Sequence, residues 1–151
     1  RDLLRAGDIS RAARLLGRPP VLVGPIVPGD GIGTTIGYPT ANLAADPDLL
    51  LPGDGIYLAH VFSDQWLGHG LVYVGSRPTV AGRDRRCEIH LLSPPADGLE
   101  QASLEVHLLE RLRDDRRFPS LEALKAQIEA DVRQAEALRS HYPTPAGRLA
   151  G

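Results

Sequence analysis

The sequence predicts a mainly β fold, a small antiparallel barrel or sandwich followed by one long helix. Three observations predict it. Five or so short runs rich in β-formers recur between Val21 and Leu109, separated by turn residues at hairpin spacing. A sustained helical period of apolar residues appears only late, from Leu121 onward. The 13 prolines and 5% aromatic content of the 151 residues suit a compact, turn-rich domain.

A chain of this length can bury a core without disulfide or metal staples, and it reads as one domain. Its 42% hydrophobic and 24% charged content is ordinary for a globular protein. A formal net charge of −2 gives no reason to expect nucleic acid or an anionic membrane as partner. With Cys87 as the single cysteine, no internal disulfide framework is possible, and a reducing, cytoplasmic setting is expected. No apolar run approaches the roughly 20 residues that span a bilayer, and no signal-peptide pattern is present. The sequence holds no methionine, even at position 1, so the chain is expected to begin inside a longer gene product or to have been trimmed.

Taken in order, residues 1–18 read as a helical lead-in. Asp8 can cap it, Ile9, Ala12, Ala13, Leu15 and Leu16 give it an apolar face, and Gly17 before Arg18-Pro19-Pro20 stops it. The segment is expected either to dock on the domain or to reach back towards a preceding one. Residues 19–142 form the domain proper. Val21–Val23 and Ile26–Val27 read as a β-run interrupted at Gly24-Pro25, and Pro25 with Pro28 predicts an edge or bulged strand. Gly55 to Phe62 is a strand that turns at Asp64-Gln65 into Trp66–Val74. Gly75 to Thr79 reads as a turn and Gly82 to Arg86 as an exposed loop, one arginine of which could meet a phosphate.

Cys87 to Leu92 alternates, with Cys87, Ile89 and Leu91 on one face and Glu88, His90 and Leu92 on the other. After a turn at Ser93 to Gly98, Ala102–Leu109 repeats the pattern, Leu104, Val106 and Leu108 lying opposite Glu105 and His107. Ser120 is a good N-cap for the long helix, and Glu122 favours its first turn. Leu121, Leu124, Ile128, Val132, Ala135 and Leu138 make an apolar stripe expected to close the barrel. Residues 143–151 read as a tail.

The segment from Gly24 to Leu43 organises the chemistry. Five glycines precede the tetrapeptide Pro39-Thr40-Ala41-Asn42. Backbone N–H groups freed of side chains can approach a bulky anion. Thr40 and Asn42 point the same way on an extended segment and offer a hydroxyl and an amide oxygen, both suited to Mg²⁺. A phosphate cradle and a plain glycine-rich turn between strands both fit. The histidines at 60, 69, 90, 107 and 141 are scattered without ligand spacing, so zinc is not expected, and Cys87 reads as a core residue. Glu88 is either a solvated outer-face carboxylate or a general base that takes a proton from an attacking hydroxyl.

An ordered series of motifs resembles riboflavin kinase. It comprises Gly29-Asp30-Gly31-x-Gly33, Gly37-Tyr38-Pro39-Thr40-Ala41-Asn42-Leu43, Gly55-Ile56-Tyr57 and Gly75-x-Arg77-Pro78-Thr79-Val80. It continues with Glu88-Ile89-His90-Leu91-Leu92, Leu112-Arg113, Phe118, Ser120-Leu121 and Gln127-Ile128. The lead-in resembles the junction in bacterial proteins where such a kinase is fused behind an FMN adenylyltransferase. The resemblance implies a six-stranded antiparallel Greek-key β-barrel with a long C-terminal α-helix. It implies transfer of phosphate from ATP to riboflavin, giving FMN and ADP, with Mg²⁺ as cofactor. Gly29, Asp30, Gly31, Gly33, Thr34, Pro39, Thr40 and Asn42 would hold ATP, and Thr40 and Asn42 the metal. Glu88 would be the base on the ribityl 5′-hydroxyl, and Arg113, Asp115 and Phe118 would lie on a flap beside the flavin.

The chain departs from the family pattern at several places. Thr34 replaces a usual basic residue, and Tyr73 a common asparagine. Asp97-Gly98-Leu99-Glu100 lacks a tyrosine and a glycine, and Asp115 stands for a glutamate. A non-catalytic flavin- or nucleotide-binding module on the same barrel is the alternative that Thr34 and Tyr73 suggest.

Overall fold

The computed structural model describes residues 2–27, 37–38, 40–44, 51–64, 66–80, 82–93 and 103–145. Two short helices, α1 (Asp2–Arg5) and α2 (Ile9–Leu16), lead into the sheet. The Asp8 side chain accepts a hydrogen bond from the Arg11 amide at 3.2 Å, and Gly17 ends α2 at φ 74°. A left-handed residue there favours glycine. Ile9 is buried and joins the barrel core, as does part of Leu4. Leu15 and Leu16, which the sequence pattern puts on the same apolar face, stand 80% and 62% exposed. The face towards the barrel is thus narrower than that pattern suggests.

The strands are β1 (Val21–Val27), β2 (Ala41–Leu43), β3 (Gly55–Phe62), β4 (Leu67–Thr79), β5 (Gly82–Leu91) and β6 (Ser103–Arg113). They pair antiparallel in the order β1-β2-β5-β4-β3-β6 and close into a barrel through β1 and β6. Strands β3, β4 and β5 follow one another as hairpins, and β6 returns to lie beside β3, which is a Greek key. The strand that periodicity does not reveal is β2, whose three residues carry no β-rich run of their own.

The closed arrangement corrects three expectations. Strand β1 is not an edge: it pairs with β6 over Val21–Pro25 and with β2 over Ile26 and Val27. Pro25 sits where pairing passes from one neighbour to the other, so its missing N–H removes little from either ladder. Residues 75–79 and 82–86 are not turn and loop but the two arms of the β4–β5 hairpin, paired from Gly75↔Arg86 to Thr79↔Gly82. Lastly, the long helix does not close the barrel.

That helix, α3 (Leu121–Leu138), is capped by the Ser120 hydroxyl, which accepts from the Ala123 amide at 3.1 Å. A 3₁₀ turn, Arg139–His141, follows it. Its residues Val132, Ala135 and Leu138 pack outside the barrel, on Ile56, Leu58, Leu71 and Leu92. The barrel interior is filled separately by alternate residues such as Tyr57, Ala59, Val72, Cys87, Ile89 and Val106. Covered on both faces, β3 is buried along all of its length. No helix among the described residues is long and apolar enough to cross a membrane.

Candidate active site

Side chains alternate across a strand, so the interior residues fix where their neighbours point. Cys87 and Ile89 face the core, which turns Glu88 outwards as the sequence alternation predicts. Leu43 likewise turns Asn42 outwards, and Val72 and Val74 turn Tyr73 outwards. In the ladders, Asn42 lies opposite Glu88, Glu88 opposite Tyr73, Tyr73 opposite Ile56, and Ile56 opposite Arg113. Asn42, Glu88, Tyr73, Ile56 and Arg113 therefore form one continuous transverse row on the outer face, crossing five strands.

At one end of the row, Asn42 and Glu88 occupy directly opposed positions, where Cβ atoms are about 4.5–5.5 Å apart. The Asn42 Oδ1 atom is buried and Glu88 is half-buried. The Tyr38 ring meets His90 edge-on, with centroids 5.6 Å apart, which brings Tyr38 alongside β5. Thr40, two residues before Asn42, carries a hydroxyl, so with the Asn42 amide oxygen this short segment offers oxygen donors, the chemistry a hard divalent cation requires. Gly29, Asp30, Gly31, Gly33, Thr34 and Pro39 lie outside the described residues, as do Asp97 to Glu100.

At the other end, the Arg113 guanidinium grips Asp131 of α3 with two bonds of 2.7 Å, from Nε and Nη2. Its Nη1 donates to the Asp114 carbonyl at 2.9 Å, and its Cζ lies 5.9 Å from the centre of the Phe118 ring. Gln127 donates to Asp131 at 3.0 Å, and the Tyr73 hydroxyl lies 3.5 Å from the same carboxylate. Burial first, then the Asp131 charge, pushes the Tyr73 phenol well above its ordinary range, so it stays protonated. Burial, then Asp54, raises the Asp115 carboxyl. Asp115 rests on bare backbone: its Oδ2 is 2.9 Å from where a Cβ on Gly75 would sit.

Other polar groups are committed elsewhere. Arg85, among the arginines considered for phosphate, donates to the Pro52 carbonyl and, at 2.9 Å, to Asp54. Burial pushes the Cys87 thiol up to about 12, which fits a core residue rather than a nucleophile. The histidines are not all scattered: His69, His60 and His107 align across β4, β3 and β6. Their partners are the Tyr142 carbonyl, at 3.1 Å from His60 and 2.7 Å from His69, and Glu105, at 2.8 Å from His107. The His60–His69 pairing is implicit in the hairpin turn at Asp64-Gln65, while His107 joins only through β6. Asp131 carries no sequence signal beyond its polar character at one position of the long helix.

A family model described as riboflavin kinase matches residues 16–139. The chain belongs to the riboflavin kinase family. Its curated relatives include the bifunctional riboflavin kinase/FMN adenylyltransferases of Pseudomonas fluorescens, 41% identical, and Escherichia coli K12, 38% identical. The matches cover 91% and 87% of this chain but only 44% and 42% of those proteins. Among solved structures, a Trypanosoma brucei riboflavin kinase superposes with a TM-score of 0.57 at 21% identity, covering 82% of this chain and 81% of that one. At that identity the likeness speaks for the barrel alone. A Streptococcus pneumoniae chain described as a macrolide-efflux protein superposes with a TM-score of 0.82 at 31% identity, over 89% of this chain and 44% of its own.

Proposed function

We propose that this chain is a riboflavin kinase, transferring the γ-phosphate of ATP to the ribityl 5′-hydroxyl of riboflavin to give FMN and ADP. The observation that carries the reading is the placement of Asn42 directly opposite Glu88 on the outer face. Phosphoryl transfer asks the protein for positioning and electrostatic stabilisation, together with a group that receives the nucleophile's proton. Glu88 takes the proton of the 5′-hydroxyl as that oxygen bonds to the γ-phosphorus. The bond between the γ-phosphorus and the β–γ bridging oxygen breaks, and ADP leaves. Thr40 and Asn42 would hold Mg²⁺, which when bound neutralises charge on the ATP phosphates. Gly29, Asp30, Gly31, Gly33, Thr34 and Pro39 complete the nucleotide side, and Asp115 and Phe118 the flavin side, with Arg113 beneath them.

The longer relatives favour a full-length protein in which an FMN adenylyltransferase part consumes the FMN made here. On that reading, residues 1–18 lead from that part into the kinase domain of residues 19–142. A non-catalytic binding module draws its support from Thr34 and Tyr73. Tyr73 fits a packed network beside Asp131, which leaves Thr34 as the remaining ground.

Incubation with riboflavin, ATP and Mg²⁺ is expected to yield FMN, and omission of Mg²⁺ to abolish it. Riboflavin bound in a fluorescence titration but never converted would overturn the kinase reading in favour of a binding module.

A further inference from the structure

The α3 surface that meets the barrel is apolar at Val132, Ala135 and Leu138, yet Asp131 lies beside it at 1% exposure. A carboxylate in such a place costs several kcal/mol unless it is paired and hydrogen-bonded. Asp131 meets that condition through both Arg113 bonds and Gln127, with the Tyr73 hydroxyl 3.5 Å from its Oδ2. Stability alone does not call for this arrangement, because replacing a buried ion pair by apolar residues of similar volume is often neutral or stabilising. A fork-to-fork pair does fix orientation.

The orientation it fixes belongs to the site. Arg113 is the last residue of β6, so the next residues depend on where its guanidinium is held. It binds the Asp114 carbonyl and lies over the Phe118 ring, gripping the 114–118 segment near both ends. Tyr73, which approaches the same Asp131 oxygen as Arg113 Nη2, is the cross-strand neighbour of Glu88. One buried carboxylate on a helix outside the barrel thus touches both ends of the stretch between the base and the flavin-side segment.

We propose that Asp131 is a positioning residue for riboflavin, holding Arg113 so that Asp115 and Phe118 stand at a fixed place relative to Glu88. Arg113 then acts as the support of the flavin-side segment. The proposal rests on the riboflavin kinase reading and adds a residue that touches neither substrate.

The test is steady-state FMN formation by Asp131→Asn, which keeps the side chain's shape and removes its charge. The KM for riboflavin is expected to rise about tenfold, a loss of about 1.4 kcal/mol, while the KM for ATP and kcat stay within about twofold. Since Asp131→Asn leaves Arg113 buried without its counter-ion, Arg113→Met/Asp131→Leu is the second variant, chosen to keep the fold by apolar packing. With a wild-type Tm it is expected to show the same selective loss for riboflavin. Unchanged KM values in that folded variant, or equal changes for riboflavin and ATP, would reduce Asp131 to a structural role. Riboflavin fluorescence titration separates the two readings. A wild-type chain that binds flavin without turnover defeats the kinase function, while weakened binding in both variants still supports the positioning role.

Discussion

Asn42 and Glu88 face each other across the β2–β5 ladder, on the outer surface of a barrel whose interior is packed by Leu43, Cys87 and Ile89. A three-residue strand is sufficient to bring them together because β2 is tied on both sides, to β1 and to β5. Opposed placement puts a metal-suited amide oxygen next to a carboxylate that can accept a proton, so each of the two can be removed and its loss read separately.

Glu88→Gln removes the proton acceptor and keeps the size of the side chain. A loss of roughly 10²- to 10⁴-fold in kcat is expected, with riboflavin affinity unchanged. A variant that turns over within about threefold of the parent would exclude Glu88 as the base.

Asn42→Ala withdraws a buried oxygen ligand from the proposed Mg²⁺ position. The Mg²⁺ concentration for half-maximal rate is expected to rise by about tenfold, the order of one lost strong ligand, while riboflavin binding is unaffected. Thr40→Val should shift the same titration in the same direction. Superimposable Mg²⁺ curves for parent and variants would remove both residues from the metal site.

Gly75→Ala places a methyl group on the Asp115 carboxylate, 2.9 Å from Oδ2. The atom that must yield is the end of a flexible side chain, so the stability cost is expected to be under about 1 kcal/mol. Asp115 is nevertheless displaced from the flavin-side segment, and the riboflavin KM should rise without a matching change for ATP. Identical kinetics in a folded Gly75→Ala protein would show that Asp115 does not contribute to flavin binding.

Buried His60 is expected to make stability pH-dependent. Burial, then the neighbouring His69 and His107, holds His60 below its ordinary 6.5, the Tyr142 carbonyl opposing this in part. Glu105 pairs with His107, and Glu110 accepts from the Tyr142 hydroxyl, so both carboxylates act on partners of the row. The unfolded chain takes up the proton first, so this contribution is complete above about pH 6.5 and is lost as pH falls through the folded value. Tm should therefore drop as pH is lowered from about 7.5 to about 5.5. His60→Gln, which can still donate to the Tyr142 carbonyl, should flatten that slope; an unaltered slope would assign the effect to other groups.

Local features are legible in the order of residues alone. Caps at Asp8 and Ser120, the bounds of β3 and the two faces of Cys87–Leu92 follow from hydrogen-bonding groups and periodicities spanning only a few residues. The arms of the β4–β5 hairpin are not, because Gly75, Pro78 and Gly82 carry turn chemistry that a long, closely paired ladder overrides. Leu15 and Leu16 look core-facing in the sequence because hydrophobicity marks what can be buried, not what finds a surface to cover it.

By itself, the sequence determined the family, the mainly β architecture and the candidates Thr40, Asn42 and Glu88. Those depend on residue type and short-range order. Only the tertiary structure decided that Asn42, Glu88, Tyr73, Ile56 and Arg113 form one row, that α3 lies outside a barrel closed by β1 and β6, and that Asp131 grips Arg113. Strand order and register are set by contacts between distant segments competing to fill one interior, and no local pattern records which partner wins.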